Sequence, residues 1–143
     1  GDEGSGADIG KACVRAFYYG LMPEEIARSF REVLPKERSV FLQQYRNHPA
    51  GNKFLASLVP VTLKYRDSGF IQSLLAERFR TFARFHIAPY AKTCPVHFAG
   101  SIAIAFREIL EDTLKNAQLT AGSIVKSPLQ GLITYHQNNS THE

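Results

Sequence analysis

From Pro95 onward the hydrophobic pattern reads strand, helix, strand, helix: Val96 to Ala99, a helix opened by Ser101, Gly122 to Lys126, and a short helix opened by Pro128 and reaching about His136. Nothing else in the chain restricts the fold as strongly. Two strands joined through a helix pair in parallel, and the crossover is right-handed. Parallel strands are normally covered on both faces, and two of them make too small a sheet to stand alone. The strand Val96 to Ala99 is expected to be buried, with further strands upstream of these 143 residues. The expected class is α/β, mostly helical, with a short parallel strand pair.

Upstream of Pro95 the period is helical. Ile9, Ala12, Cys13, Ala16, Phe17 and Gly20 form one stripe of a first helix, capped by Ser5 with Asp8 at capping-box spacing. Asp8, Lys11 and Arg15 fall mostly towards water. Pro23, Glu24 and Glu25 mark a second helix that buries Ile26, Phe30, Val33 and Leu34 and ends at Pro35. Val40, Phe41 and Tyr45 indicate a short third. Asn47-His48-Pro49-Ala50-Gly51 is a break, and Phe54, Leu55 and Leu58 resume until Pro60 interrupts. The longest helix starts near Ser68, carries Ile71, Leu74, Leu75, Phe79, Phe82 and His86 inward, and ends or kinks at Pro89. In the last third, Ile102, Phe106, Ile109 and Leu110 point inward. The polar tail 137–143 is expected to fray.

Composition narrows the function classes. At 44% hydrophobic the chain is too apolar for general disorder, and no apolar run approaches the ~20 residues of a membrane span. The net charge of +4 is spread out, and its densest patch, Lys64, Arg66, Arg78, Arg80 and Arg84, reads as a solvated helix face, so neither nucleic acid nor membrane is an expected partner. Cys13 and Cys94 have no metal-ligand spacing and make no disulfide framework; Cys13 reads as a buried free thiol, which suits the cytoplasm. No pair among His48, His86, His97, His136 and His142 suggests a metal, and His97 reads as structural. The chain opens without Met and inside a motif, which points to a piece of a longer protein.

Two segments can carry chemistry. In Gly1-Asp2-Glu3-Gly4-Ser5-Gly6, two carboxylates stand among glycines at a helix mouth. Ionised carboxylates accept hydrogen bonds, sugar hydroxyls donate them, and glycine lets backbone approach a ligand. The alternative is that Asp2 and Glu3 only complement the helix dipole. In Ala99-Gly100-Ser101, a glycine turn follows the carboxyl end of a parallel strand, where α/β proteins admit nucleotides. Gly100 leaves room for a ribose or base, and Ser101 starts a helix whose free N–H groups favour phosphate. Gly131 either packs a helix or faces the nucleotide. The turn is neither a Walker loop nor a Rossmann fingerprint.

The segment Gly1-Asp2-Glu3-Gly4-Ser5-Gly6, with Ile9-Gly10 behind it, resembles the GDEGS segment of the N-acetylglucosamine kinases. These belong to the BadF/BadG/BcrA/BcrD-type ATPases, within the actin-like, sugar-kinase and Hsp70 superfamily. Pro95-Val96-His97-Phe98-Ala99-Gly100-Ser101-Ile102-Ala103 is similar to that family's adenosine motif, with Ala99 in place of the first glycine of a Gly-Gly pair. Ile124-Val125-Lys126-Ser127-Pro128-Leu129-Gln130-Gly131-Leu132 resembles the end of its bacterial members.

The resemblance implies that residues 1–143 form the C-terminal lobe of an actin-like (ribonuclease H-like) ATPase fold. Residues 1–20 would be a sugar-site loop and helix, 23–94 a helical region, 95–136 the nucleotide-site strand-helix-strand-helix, and 137–143 a tail. It implies ATP and Mg²⁺ as cofactors, an amino sugar as substrate, Asp2 and Glu3 at the sugar, and Gly100 and Ser101 at ATP. The catalytic base and the phosphate hairpins would lie in an N-terminal lobe absent from this chain, so no residue here is assigned as catalytic or as a metal ligand. The expected activity is phosphorylation of N-acetylglucosamine at its 6-hydroxyl by a cytoplasmic kinase, with a homodimer allowed. The rivals are an ATPase that activates a dehydratase through an iron–sulfur cluster, and a non-catalytic helical interaction module.

Overall fold

The computed structural model describes residues 2–90 and 93–127, in which eight α-helices and two strands are found. The final helix expected over 128–136, Gly131 and the tail lie outside the described residues. The chain divides into two compact units, Gly1–Arg78 and Phe79–Glu143.

The first unit is helical. Helix α1 (Gly6–Tyr18) starts as the sequence predicts: Ser5 is its N-cap, and the Ser5 hydroxyl accepts from the Asp8 N–H at 3.1 Å. Gly20 lies beyond the helix rather than on its stripe. It takes φ 68°, so that the N–H groups of Gly20 and Leu21 donate to the carbonyls of Phe17 and Ala16. This αL cap satisfies end carbonyls at a position where glycine carries no steric penalty. Helix α2 (Glu24–Arg31) buries Ile26, Ala27 and Phe30. It stops short of Pro35, and Val33 is 46% exposed, against expectation. Helix α3 (Arg38–Asn47) turns Phe41 inward but leaves Val40 exposed.

Pro60 does not interrupt a helix; it stands in the first turn of a new one. Helix α4 (Gly51–Ala56) ends, and α5 (Val59–Lys64) begins with the proline where a missing N–H costs nothing. Helix α1 packs on α4 and α5. The approach to α4 is unusually close, since a Cβ placed on Gly10 would stand 2.1 Å from the Leu55 carbonyl oxygen. Ile9, Cys13, Phe30, Leu55, Ile71 and Leu75 are fully enclosed in this core.

Helix α6 (Gly69–Phe82) runs on into a π turn, Ala83–Ile87, closed by the Ala88 N–H donating to the Ala83 carbonyl at 2.8 Å. The wide turn shifts the buried face by one residue. Ala83 and Ile87 are buried and His86 is exposed, the reverse of what an uninterrupted 3.6-residue period gives.

In the second unit, β1 (Val96–Ala99) and β2 (Ala121–Val125) pair in parallel, as the element order requires. Their register is Val96 with Ala121 and Phe98 with Ile124, with an irregularity between Val96 and Phe98. The strands alternate between half-buried and exposed residues along β1 rather than being enclosed on both faces. The connection holds two helices, α7 (Ser101–Ala105) and α8 (Arg107–Asn116), separated at Phe106. Phe106, Leu110 and Leu114 are buried, and α7 and α8 both contact β2. Helix α8 ends like α1, with Gln118 at φ 60° and the Leu119 N–H donating to the Leu114 carbonyl.

Candidate functional site

The opening acidic segment forms a tight turn. The Ser5 N–H donates to the Asp2 carbonyl at 2.9 Å, and Gly4 supplies φ 78° at the third position, where a type II turn needs it. The Asp2 side chain is exposed, and among the described residues its carboxylate has no partner. Glu3 is half-buried and already engaged.

What fixes the turn is Asp8. Its carboxylate accepts from the Gly4 N–H and from Arg78 Nε, both at 2.8 Å. Asp8 is 8% exposed, so its charge is largely withdrawn from water and needs this compensation. Arg78 responds in kind: the hydrogen bond it donates to Asp8 raises its pKa first of all, burial opposes this, and the charges of Asp8, Glu77 and Glu3 add to the rise. The guanidinium on α6 thus clamps the glycine loop ahead of α1. A cleft of about 580 Å³ opens beside the clamp, between Asp8, Lys11 and Arg15 on α1 and Phe70, Glu77 and Arg78 on α6.

The sequence reading missed this pair. It sent Asp8 towards water and counted Arg78 in a solvated patch. One signal was available: with Ser5 as cap, Asp8 occupies the position from which a side chain turns back to the loop backbone. Its partner, 70 residues away, had none.

The glycine turn of the second unit follows β1 as expected. Gly100, not Ser101, is the N-cap of α7, with φ 131° and ψ 162°. That φ excludes an ordinary side chain, yet no atom stands within 4 Å of where a Cβ would sit, so the space over Gly100 is open. Its N–H donates to the Val125 carbonyl at 2.9 Å, extending the ladder by one bond past β1. Ser101 is exposed at the first position of α7. His97 is structural: Nδ1 accepts from the Ser123 N–H at 2.9 Å, and the ring occupies the space a side chain at Gly122 would need. Asp2 and Glu3 therefore belong to the first unit, and Gly100 and Ser101 to the second.

Cys13 is enclosed, and burial pushes its thiol up to about 12, whereas Cys94 is exposed. Among the described residues no three His, Cys, Asp or Glu side chains group to hold a metal ion, and no helix is long and apolar enough to cross a membrane.

No family model matches the chain, and no curated protein does. Among solved structures it is similar to the putative N-acetylglucosamine kinase of Porphyromonas gingivalis, with a TM-score of 0.85 and 34% sequence identity over 98% of this chain. The chain spans 50% of that protein's length. In fold and in a third of its residues, this mostly helical chain with its small parallel strand pair is thus a counterpart of the C-terminal half of that protein.

Proposed function

We propose that this chain is the C-terminal lobe of an ATP-dependent amino-sugar kinase with an actin-like fold. Its substrate is N-acetylglucosamine, phosphorylated at the 6-hydroxyl. The observation that carries the reading is the match, at 34% identity over 98% of the chain, to a protein named for that activity. Two local features support it. Asp2 holds an exposed carboxylate, unpartnered among the described residues, on a turn pinned by Asp8 and Arg78, so it can accept hydroxyl donors without first giving up an ion pair to those residues. Gly100 combines a glycine-only backbone with open space at the end of a parallel strand, which fits a nucleoside.

In the mechanism, Asp2, aided by Glu3, orients the sugar, and Gly100 with Ser101 borders the adenosine end of ATP. Phosphoryl transfer depends mainly on positioning and electrostatic stabilisation. ATP supplies the phosphoryl group and Mg²⁺ offsets its charge. The metal is assigned to no residue here, and the base and phosphate loops to an N-terminal lobe. The cytoplasm is the expected setting, with a homodimer allowed. An iron–sulfur activator of a dehydratase fits less well, because Cys13 is enclosed in the core of the first unit, where a cluster shared between subunits does not reach it. The helical-module rival finds no support in the aromatic residues Phe30 and Phe41, which are core.

The test is a panel of sugars in a coupled ADP assay on the full-length protein with Mg²⁺. Phosphorylation of N-acetylglucosamine is expected. Sugar-independent ATP hydrolysis without a phosphorylated product overturns the proposal.

A further inference from the structure

A second groove in the first unit, of about 370 Å³, lies between α1 and α3 and reaches Leu55 on α4. Its floor is apolar: Val14, Phe41 and Leu55 are buried, and Leu42 and Tyr45 complete it. Its rim is cationic. Lys11, Arg15 and Arg38 line it, and among the described residues no carboxylate does.

The guanidinium carbons of Arg15 and Arg38 lie 5.6 and 5.4 Å from the centroid of the same ring, that of Tyr19. Lys11 precedes Arg15 by one helical turn, a like-charge spacing that disfavours the helix. Among the described residues none of the three forms an ion pair. Other arginines here do find acids: Arg31 pairs with Glu24, Arg78 with Asp8 and Arg107 with Glu111. Two arginines over one aromatic ring, with Lys11 on the same rim and no carboxylate among the described residues lining the groove, leave positive charge above an apolar floor that an anion would offset.

We propose that this groove binds a small amphipathic anion, with an apolar body against Phe41, Leu42 and Leu55 and a carboxylate or phosphate head among Lys11, Arg15 and Arg38. Its size lies within the ~300–1,000 Å³ of small-molecule sites, and an apolar floor with a few convergent polar groups is their usual make-up. The inference does not depend on the sugar-kinase reading.

The experiment titrates full-length protein with octanoate, octyl phosphate and neutral octanamide by calorimetry. Arg38→Gln and Lys11→Gln serve as test variants, and Arg84→Gln, in the other unit, as a charge-matched control. Both anions are expected to bind and octanamide to bind far more weakly. Each test variant should weaken anion binding about tenfold, the loss of one charge-assisted contact, while Arg84→Gln leaves it unchanged. Both test positions carry exposed side chains, so a melting curve should confirm an intact fold. Equal binding of octanamide reduces the groove to an apolar patch and overturns the proposal. So does equal weakening by Arg84→Gln, or no binding of either anion to wild-type protein.

Discussion

Replacing Gly10 with alanine should loosen the helical unit at its centre. The added Cβ would meet Leu55 backbone atoms at 2.1, 2.6 and 3.1 Å, where ordinary contact begins near 3.4 Å. The obstacle is main chain on α4, so no side-chain rotation relieves it. The helices must part by more than an ångström. Leu55 is 2% exposed and packed on all sides. A buried leucine makes about 40–60 atom contacts of ~0.1–0.2 kcal/mol each, and a gap of ~0.5–1 Å forfeits a quarter to a half of each affected contact. If about half of them face α1, the loss is roughly 1–3 kcal/mol, in line with overpacked cores. Alanine's better helix propensity returns up to ~1 kcal/mol. The net expectation is about 1–2 kcal/mol of destabilisation, or roughly 2–8 °C in Tm at the ~2–4 °C per kcal/mol of proteins longer than this segment. Thermal melts of full-length Gly10→Ala beside Gly69→Ala would decide it. Gly69 also stands in a helix, with nothing within 4 Å of a Cβ, and should tolerate alanine or gain from it. A Gly10→Ala protein as stable as Gly69→Ala would refute the close-approach argument.

Four further outcomes are expected. Asp8→Asn should cost roughly 2 kcal/mol in chemical denaturation, less than the ~3–5 kcal/mol of a fully buried pair because Arg78 retains 23% exposure; an unchanged midpoint would show that Arg78 clamps nothing. Asp2→Asn should raise the KM for the sugar by about ten- to hundredfold, from the ~1.5–3 kcal/mol of a charge-assisted hydrogen bond, with the KM for ATP little changed; an unchanged sugar KM would leave Asp2 as a helix-terminus charge. Gly100→Val should abolish ATP binding measured calorimetrically on protein that still melts cooperatively, because φ 131° excludes valine and its side chain enters the open space; wild-type affinity would end the nucleoside reading. Cys13 has its folded pKa raised from 9.0 to about 12, so its contribution to stability is intact below pH 9 and is lost as pH rises through that window. Cys13→Ala should flatten this alkaline decline, and mass mapping of iodoacetamide-treated native protein at pH 8 should find Cys94 modified and Cys13 spared.

Local rules were legible in the sequence wherever one segment determines its own structure. The Ser5 cap, the break at Asn47–Gly51, the strand Val96–Ala99 and the parallel pairing all follow from neighbours in the chain. The reading failed where a distant partner or an altered period decides. Asp8 is buried because Arg78 arrives from α6. Gly10 is indispensable because Leu55 crosses it, although glycine in a helix ordinarily signals weakness. Val33 is exposed because α2 stops short of Pro35, which itself accepts a hydrogen bond from the Tyr18 hydroxyl at 2.7 Å. Of the candidate site, the residue types were readable, while the clamp that holds the acidic turn was not.

The π turn after α6 has a consequence for how this segment tolerates change in length. Ile71, Leu75, Phe79, Ala83 and Ile87 are buried at a strict spacing of four. An α-helix completes a turn in 3.6 residues, so such a stripe drifts steadily around it. A turn closed by an i to i+5 bond holds more residues and turns the drift back. One surplus residue within Ala83–Ile87 thus sets the phase of everything up to Pro89. If the same residues ran on as an ordinary α-helix, the side chains after Ala83 would rotate by about 100°, bringing a polar imidazole where Ile87 now packs. The wide turn thus acts as a frame correction in three dimensions, absorbing one residue that an ordinary turn cannot. Lineages without the wide turn should carry one residue fewer between Ala83 and Ile87 and keep the same buried stripe.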